Sequence, residues 1–180
     1  MNGRVLVAYG SKLGSTAEIA EFLGMEFRLH GLDVTVAPAD QIDSVRPYEF
    51  VVIGSAIYMA RWRRSALRLL RRERKALMSR EVWLFQSGLS VTGAGPWEDP
   101  TPKAVAALAR EIGTAPPVTF PGALLPETAH GVLPRLMART KGAGDHRDWD
   151  RIRAWGREVA AEICMRTGRP FNAVGVHVEQ

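Results

Sequence analysis

Apolar and polar positions along the chain change period several times, and each change marks an element. Val5-Leu6-Val7-Ala8-Tyr9 is a short, continuous apolar run, the pattern of a strand covered on both faces. Over residues 16–30 the period lengthens: Ile19, Ala20, Leu23 and Phe27 form a stripe at helical spacing, and Gly31 is placed to stop it. Residues 32–37 alternate as a second strand, and a polar connection follows over 38–48 with a helical turn around Gln41. Phe50-Val51-Val52-Ile53-Gly54 reads as a third strand, residues 64–78 as a helix, and Glu81-Val82-Trp83-Leu84-Phe85 as a fourth strand. Residues 86–100 form a long loop rich in glycine and proline. Thr101-Pro102 has the form of an N-cap and a first helical residue, opening a helix that ends near Gly113. Val118-Thr119-Phe120 is the fifth strand. Residues 122–146 are irregular apart from a short helical stretch over 132–138. The last helix starts near Asp148, carries Trp149, Ile152, Gly156, Val159 and Ile163 at core spacing, and has Asp148 and Asp150 at its positive end.

Strands alternating with helices imply parallel βαβ units, hence a doubly wound α/β sheet of five strands. Residues 1–168 make one domain and 169–180 a tail in which 174–178 has an edge-strand pattern. With 46% hydrophobic residues in 180, the chain carries enough apolar surface for a core. No apolar run nears a membrane span and no signal-peptide pattern opens the sequence, so the expected location is the cytoplasm. The single cysteine, Cys164, excludes an intrachain disulfide framework and a cysteine metal site, and its helical position suits packing. His30, His130, His146 and His177 lack metal-ligand spacing, and no local sequence assembles a catalytic triad or carboxylate pair. No catalytic residue and no metal ligand is therefore assigned.

The candidate chemistry sits in three loops. Gly10-Ser11-Lys12-Leu13-Gly14-Ser15-Thr16 separates the first strand from the first helix, with Ser15 and Glu18 spaced as a capping box. A strand–loop–helix turn of this kind collects free N–H groups at the positive end of a helix dipole, a site for phosphate. Lys12 stands before the last glycine, which excludes a P-loop, and a dinucleotide fingerprint is absent. The bland alternative is an ordinary capped polar turn. After the third strand, Ser55, Ala56, Ile57, Tyr58 and Trp62 lie where Ile57, Tyr58 and Trp62 would flank a flat aromatic ligand, with Tyr58 stacking on it. After the fourth strand, the main-chain groups of Gln86-Ser87-Gly88-Leu89-Ser90 would meet the polar edge of the same ligand.

V-L-V-A-Y-G-S-K-L-G-S-T, V-V-I-G-S-A-I-Y-M-A-R-W and G-D-H-R-D-W-D-R-I-R-A-W together resemble the flavodoxin-domain family that includes menaquinone-dependent protoporphyrinogen IX dehydrogenases. The resemblance implies a flavodoxin-like strand order, 2-1-3-4-5, with the site at the carboxyl ends of the strands. It implies noncovalent FMN held by Ser11, Lys12, Leu13, Gly14, Ser15 and Thr16, by Ser55, Ala56, Ile57 and Tyr58, and by Gln86, Ser87, Gly88 and Leu89. It further implies an FMN-dependent oxidoreductase taking a protoporphyrinogen-like substrate, with a quinone or a redox protein as partner. The alternative is a flavodoxin-like electron carrier without its own substrate. Residues 122–146 depart from those dehydrogenases, which carry a longer insert there, rich in aromatic and basic residues.

Charge adds one element to this picture. The net charge of +5 favours an acidic partner, whereas soluble flavodoxin carriers are characteristically acidic. Arg64, Arg68, Arg71 and Lys75 fall on one helical face, flanked by Arg61 and Arg72, with Ala66, Leu69, Leu70 and Leu77 opposite. Such a helix is either a solvated outer face or a peripheral contact with anionic membrane or an acidic protein. No nucleic-acid motif accompanies it, so nucleic acid is not an expected partner. The sequence leaves the oligomeric state open.

Overall fold

The computed structural model describes residues 3–12, 14–88, 101–124 and 144–171. Five parallel strands, β1 (Arg4–Gly10), β2 (Asp33–Pro38), β3 (Phe50–Tyr58), β5 (Glu81–Gly88) and β6 (Val118–Pro121), form a sheet in the order β2-β1-β3-β5-β6. Counting these five alone, this is the predicted order 2-1-3-4-5. Two-residue β4 (Arg61–Trp62) folds back antiparallel on β3, and β7 (Ala123–Leu124) pairs antiparallel with β8 (Gly144–Asp145) outside the main sheet.

Side chains alternate along each strand, so the sheet feeds two cores. Leu6, Ala8, Val51, Ile53, Val82 and Leu84 face one way, onto α2 (Arg64–Arg72), α3 (Arg74–Leu77) and α4 (Lys103–Ile112). Val5, Val7, Phe50, Val52, Phe85 and Phe120 face the other way, onto α1 (Ser15–Leu29) and α5 (Trp149–Thr167). The predicted helix stripes supply the opposing surfaces: Ile19, Ala20, Leu23 and Phe27 from α1, and Ile152, Val159 and Ile163 from α5, are all buried. Cys164 is buried beside them, and burial pushes its thiol pKa up. Asp148 caps α5 by accepting from the Arg151 N–H at 3.0 Å, Gly113 closes α4 in the left-handed region, and a single 3₁₀ turn spans Ala39–Gln41.

Several elements depart from the sequence reading. The predicted helix over 64–78 is two helices, broken at Glu73. The Glu73 carboxylate accepts from the Val45 N–H at 3.2 Å and from Arg72 Nε at 3.0 Å. Burial pushes its pKa up, but those hydrogen bonds and the Arg72 charge outweigh burial and hold it low. A helical pattern alone carries no sign of that long-range demand. The turn expected after Gly54 is instead a continuation of β3 to Tyr58, followed by a two-residue hairpin turn at Met59 and Ala60, both at positive φ (50° and 56°). Gln86, Ser87 and Gly88 belong to β5 rather than to a loop, because β3 and β6 extend far enough to pair with them. Pro102, not Thr101, is the N-cap of α4. The predicted features at 89–100, 132–138 and 174–178 lie outside the described residues.

Candidate functional site

The three segments singled out in the sequence meet at one end of the sheet. Parallel register aligns Gly10 with Ser55, Ser55 with Gln86, and Ala56 with Ser87, so the carboxyl ends of β1, β3 and β5 stand side by side. This is the switch point of the strand order: β1 connects to β2 on one side, while β3 begins the run on the other. Leu13 and Leu89 fall outside the described residues; the other twelve predicted site residues lie at this end.

The turn from β1 into α1 differs from a capping box. Gly14, at φ 91°, is the N-cap, and no side chain caps the helix. Ser15 is already helical, and its Oγ accepts from the Ala123 N–H at 3.0 Å. Glu18 is drawn outward to the Arg147 guanidinium rather than back to the first turn. The consequence favours a ligand, because the first N–H groups of a 15-residue helix keep their donors free of side-chain caps. Ser11 Oγ accepts from the Gly14 N–H at 3.1 Å. Since Ser11 and Ser15 act as acceptors within the chain, each keeps its own O–H to donate. Thr16 is buried, and its hydroxyl lies 2.7 Å from that of Ser87, joining the β1–α1 turn to the end of β5.

The side chains behind these turns are committed to the fold. Trp62, expected to flank a ligand, is buried with 4% exposure, and its indole N–H donates to Gln86 Oε1 at 3.0 Å. The Gln86 amide donates onward to Thr119 Oγ1 at 2.9 Å. Ser55 Oγ accepts from the Arg63 N–H at 2.8 Å, fixing the entry to α2. These contacts correct the reading of Trp62: antiparallel pairing of β4 on β3 turns its indole into the core. Ile57 and Tyr58 remain partly exposed on the far stretch of β3, and the Lys12 ammonium sits 4.8 Å from the Tyr58 ring centroid. Gly54 stands directly opposite Phe85 across the strands, and a Cβ there would lie 2.0 Å from that ring. Only glycine lets the aromatic lie across β3 just below the site.

One part of the site went unread in the sequence. Gly122 donates to the Gly88 carbonyl at 2.9 Å and His146 to the Gly122 carbonyl at 3.2 Å, which seats the β7–β8 pair beside the end of β5. Arg147, its side chain only 6% exposed, bridges Asp145 and Glu18 and lies 4.6 Å over the Trp149 ring. Hydrogen bonding from Arg147, above all, holds the Asp145 carboxyl below its usual range. Trp149 packs in turn on Phe22 of α1, with centroids 5.1 Å apart. The G-D-H-R-D-W stretch is therefore a clamp joining β8, the start of α5 and α1. Its charged spacing was visible in the sequence, but its partner Glu18 is remote.

Comparison with known proteins gives the same fold. The family profile described as a flavodoxin domain matches residues 6–124. No curated protein matches the sequence. Among solved structures, a flavodoxin from the domain Archaea superposes with a TM-score of 0.60 at 16% identity, over 89% of this chain and 98% of the other. Oxidised flavodoxin 2 from Bacillus cereus gives 0.60 at 15% identity, over 88% and 98%. The rubredoxin oxygen:oxidoreductase of Desulfovibrio gigas gives 0.63 at 16% identity, over 92% of this chain but only 37% of that one. The chain thus spans little more than a third of that larger protein. With a profile match over more than half of its residues and three strand ends arranged around an uncapped helix, the chain belongs to the flavodoxin-domain family, whose members bind FMN.

Proposed function

We propose that this protein binds FMN at the carboxyl ends of β1, β3 and β5 and works as an FMN-dependent oxidoreductase. The observation that carries the reading is the donor set at the start of α1: an uncapped helix N-terminus flanked by Ser11 and Ser15, each hydroxyl accepting within the chain and free to donate. That set matches a phosphate ester, which is acceptor-only and doubly charged. Gly14 and Thr16 complete this cradle, Ile57 and Tyr58 provide an apolar wall for the ring, and Gly88 borders its polar edge. When bound, the flavin supplies the hydride and electron chemistry, and the protein positions and tunes it.

The test is reconstitution. Apoprotein titrated with FMN should show the absorption and fluorescence changes of a bound flavin. Ser11→Ala combined with Ser15→Ala should weaken binding by about 2–4 kcal/mol, the range for two charge-assisted hydrogen bonds. Unchanged affinity in the double variant would overturn the phosphate assignment.

For the substrate, the proposal follows the motif resemblance: a protoporphyrinogen-like compound as reductant and a quinone as acceptor. The basic surround of the site supports an enzyme of this kind over a carrier, with Lys12, Arg61, Arg63 and Arg64 in the segments that border it. The second reading, an electron carrier, is supported by the match to 98% of the length of the archaeal flavodoxin. Steady turnover of protoporphyrinogen with a quinone distinguishes the enzyme. Reversible reduction without turnover, with electrons passed on only to another redox protein, identifies the carrier.

A further inference from the structure

The cations of this protein are unevenly satisfied across its two helical layers. On the α1–α5 side, Arg147, Arg153, Arg157 and Arg166 each hold a carboxylate, and Arg28 donates to the Val34 carbonyl. On the β4–α2–α3 side, Arg61, Arg64, Arg68, Arg71 and Lys75 are all exposed and enter no ion pair among the described residues. The sole acid between residues 61 and 80 is Glu73, and its carboxylate is turned inward to Val45, Ser44 and Arg72. Unpaired positive charge therefore runs from Arg61 of β4 along α2 to Lys75 of α3, while Arg72 and Arg74 at the junction are held by Glu73 and Glu111.

The same segment carries two of the largest exposed apolar side chains. Met59, 80% exposed, forms the hairpin turn just before α2, and Met78, 58% exposed, follows α3. Charge occupies the middle and apolar groups the two ends. A protein–protein interface is organised the other way, with an apolar desolvated centre and a polar rim. A lipid surface suits the observed order: headgroup charge attracts the middle, and isolated apolar tips reach the acyl boundary. Met59 also sits in a turn whose two residues are both in the left-handed region without being glycine, a conformation that is held only where the surroundings enforce it.

We propose that the β4–α2–α3 face docks reversibly on an anionic lipid surface, with the Met59 turn leading. Because that turn joins β3 to β4 at the candidate site, docking sets the carboxyl end of the sheet against the membrane boundary. The surface exists with or without flavin, so its test is independent of the cofactor assignment.

The full chain is sedimented with vesicles of phosphatidylcholine containing phosphatidylglycerol, and with phosphatidylcholine alone, across a salt titration. Binding is expected to the anionic vesicles only, and to fade as salt shortens the screening length through roughly 8 Å. Arg68→Glu with Arg71→Glu should lower the partition coefficient by at least about tenfold. Arg28→Glu with Arg151→Glu, which changes net charge equally on the other layer, should lower it by less than about threefold. Met59→Ser, with every cation intact, should weaken binding severalfold. Circular dichroism melts confirm folding, and Arg68→Gln with Arg71→Gln replaces the reversal should it not fold. No preference for anionic vesicles at low salt, equal losses in the two reversals, or binding to poly-L-glutamate without binding to vesicles would each overturn the proposal.

Discussion

Gly54 shows how much one missing side chain can decide. Its place under the Phe85 ring is sterically full, since a Cβ at this position would lie only 2.0 Å from a ring carbon. Gly54→Ala should therefore displace Phe85 and lower stability by about 1–3 kcal/mol, measured by chemical denaturation. Tyr58 carries a different prediction. If its ring lies against the flavin, Tyr58→Ala should shift the flavin absorption bands and the midpoint potential. A variant identical to the parent in both would remove Tyr58 from the site. Part of this was legible in the sequence and part was not. That Ser11, Ser15 and Thr16 would sit at the turn from β1 into α1 was legible because hydroxyl and glycine residues between a strand and a helix have a local meaning. The fate of Trp62 did not, because its partner Gln86 lies in another strand, and an isolated tryptophan reads equally well as ligand wall or core.

At the scale of elements, the clamp around Arg147 and the break at Glu73 are both held by charge. Asp145 is held below its ordinary pKa of 3.8, mainly by the Arg147 hydrogen bonds. Its folded form therefore prefers the carboxylate. That contribution is complete above the unfolded pKa and is lost as pH falls through the lower folded value. Acidification below about pH 4 should loosen β8 and the start of α5, and Arg147→Met should weaken this dependence. Hydrogen exchange at the amides of residues 144–152 reports it. Glu73→Ala strands the Val45 N–H and should cost about 1–3 kcal/mol by denaturation. Element identity was legible from periodicity for all five parallel strands and for α1, α4 and α5. The break in the α2–α3 segment was hidden because Leu69, Leu70 and Leu77 keep one apolar face across it. The length of β3 was hidden too, because hairpin pairing with β4 is a tertiary event.

Across the whole molecule, the doubly wound sheet separates two kinds of surface. Among the described residues, most arginines of the α1–α5 layer hold carboxylates, whereas the α2–α3 layer pairs Arg72 and Arg74 and leaves Arg64, Arg68, Arg71 and Lys75 without an acid. Among the described residues, no helix is long and apolar enough to cross a membrane, so any membrane contact through these helices is peripheral. The doubly wound parallel sheet followed from the alternation of strands and helices, whereas its order, 2-1-3-4-5, came from the family resemblance. The charge asymmetry was only half visible: the sequence showed the basic face, but not that Arg153, Arg157 and Arg166 of α5 hold carboxylates.

The lone buried cysteine gives this fold a clock. Cys164 has no exposed surface, and burial raises its thiol pKa, so both access and thiolate fraction work against alkylation in the closed state. An exposed thiol of ordinary pKa reacts freely with iodoacetamide, and this one should react only when α5 lifts from α1 and the sheet. With a single thiol in the sequence, every labelling event comes from that one opening. The slowing relative to a free thiol then converts to an opening free energy, at about 1.4 kcal/mol for each factor of ten. An FMN-bound sample should label more slowly than apoprotein if the cradle at the start of α1 stabilises the whole α1–α5 layer. Equal rates would show that the layer opens independently of the ligand end of the sheet.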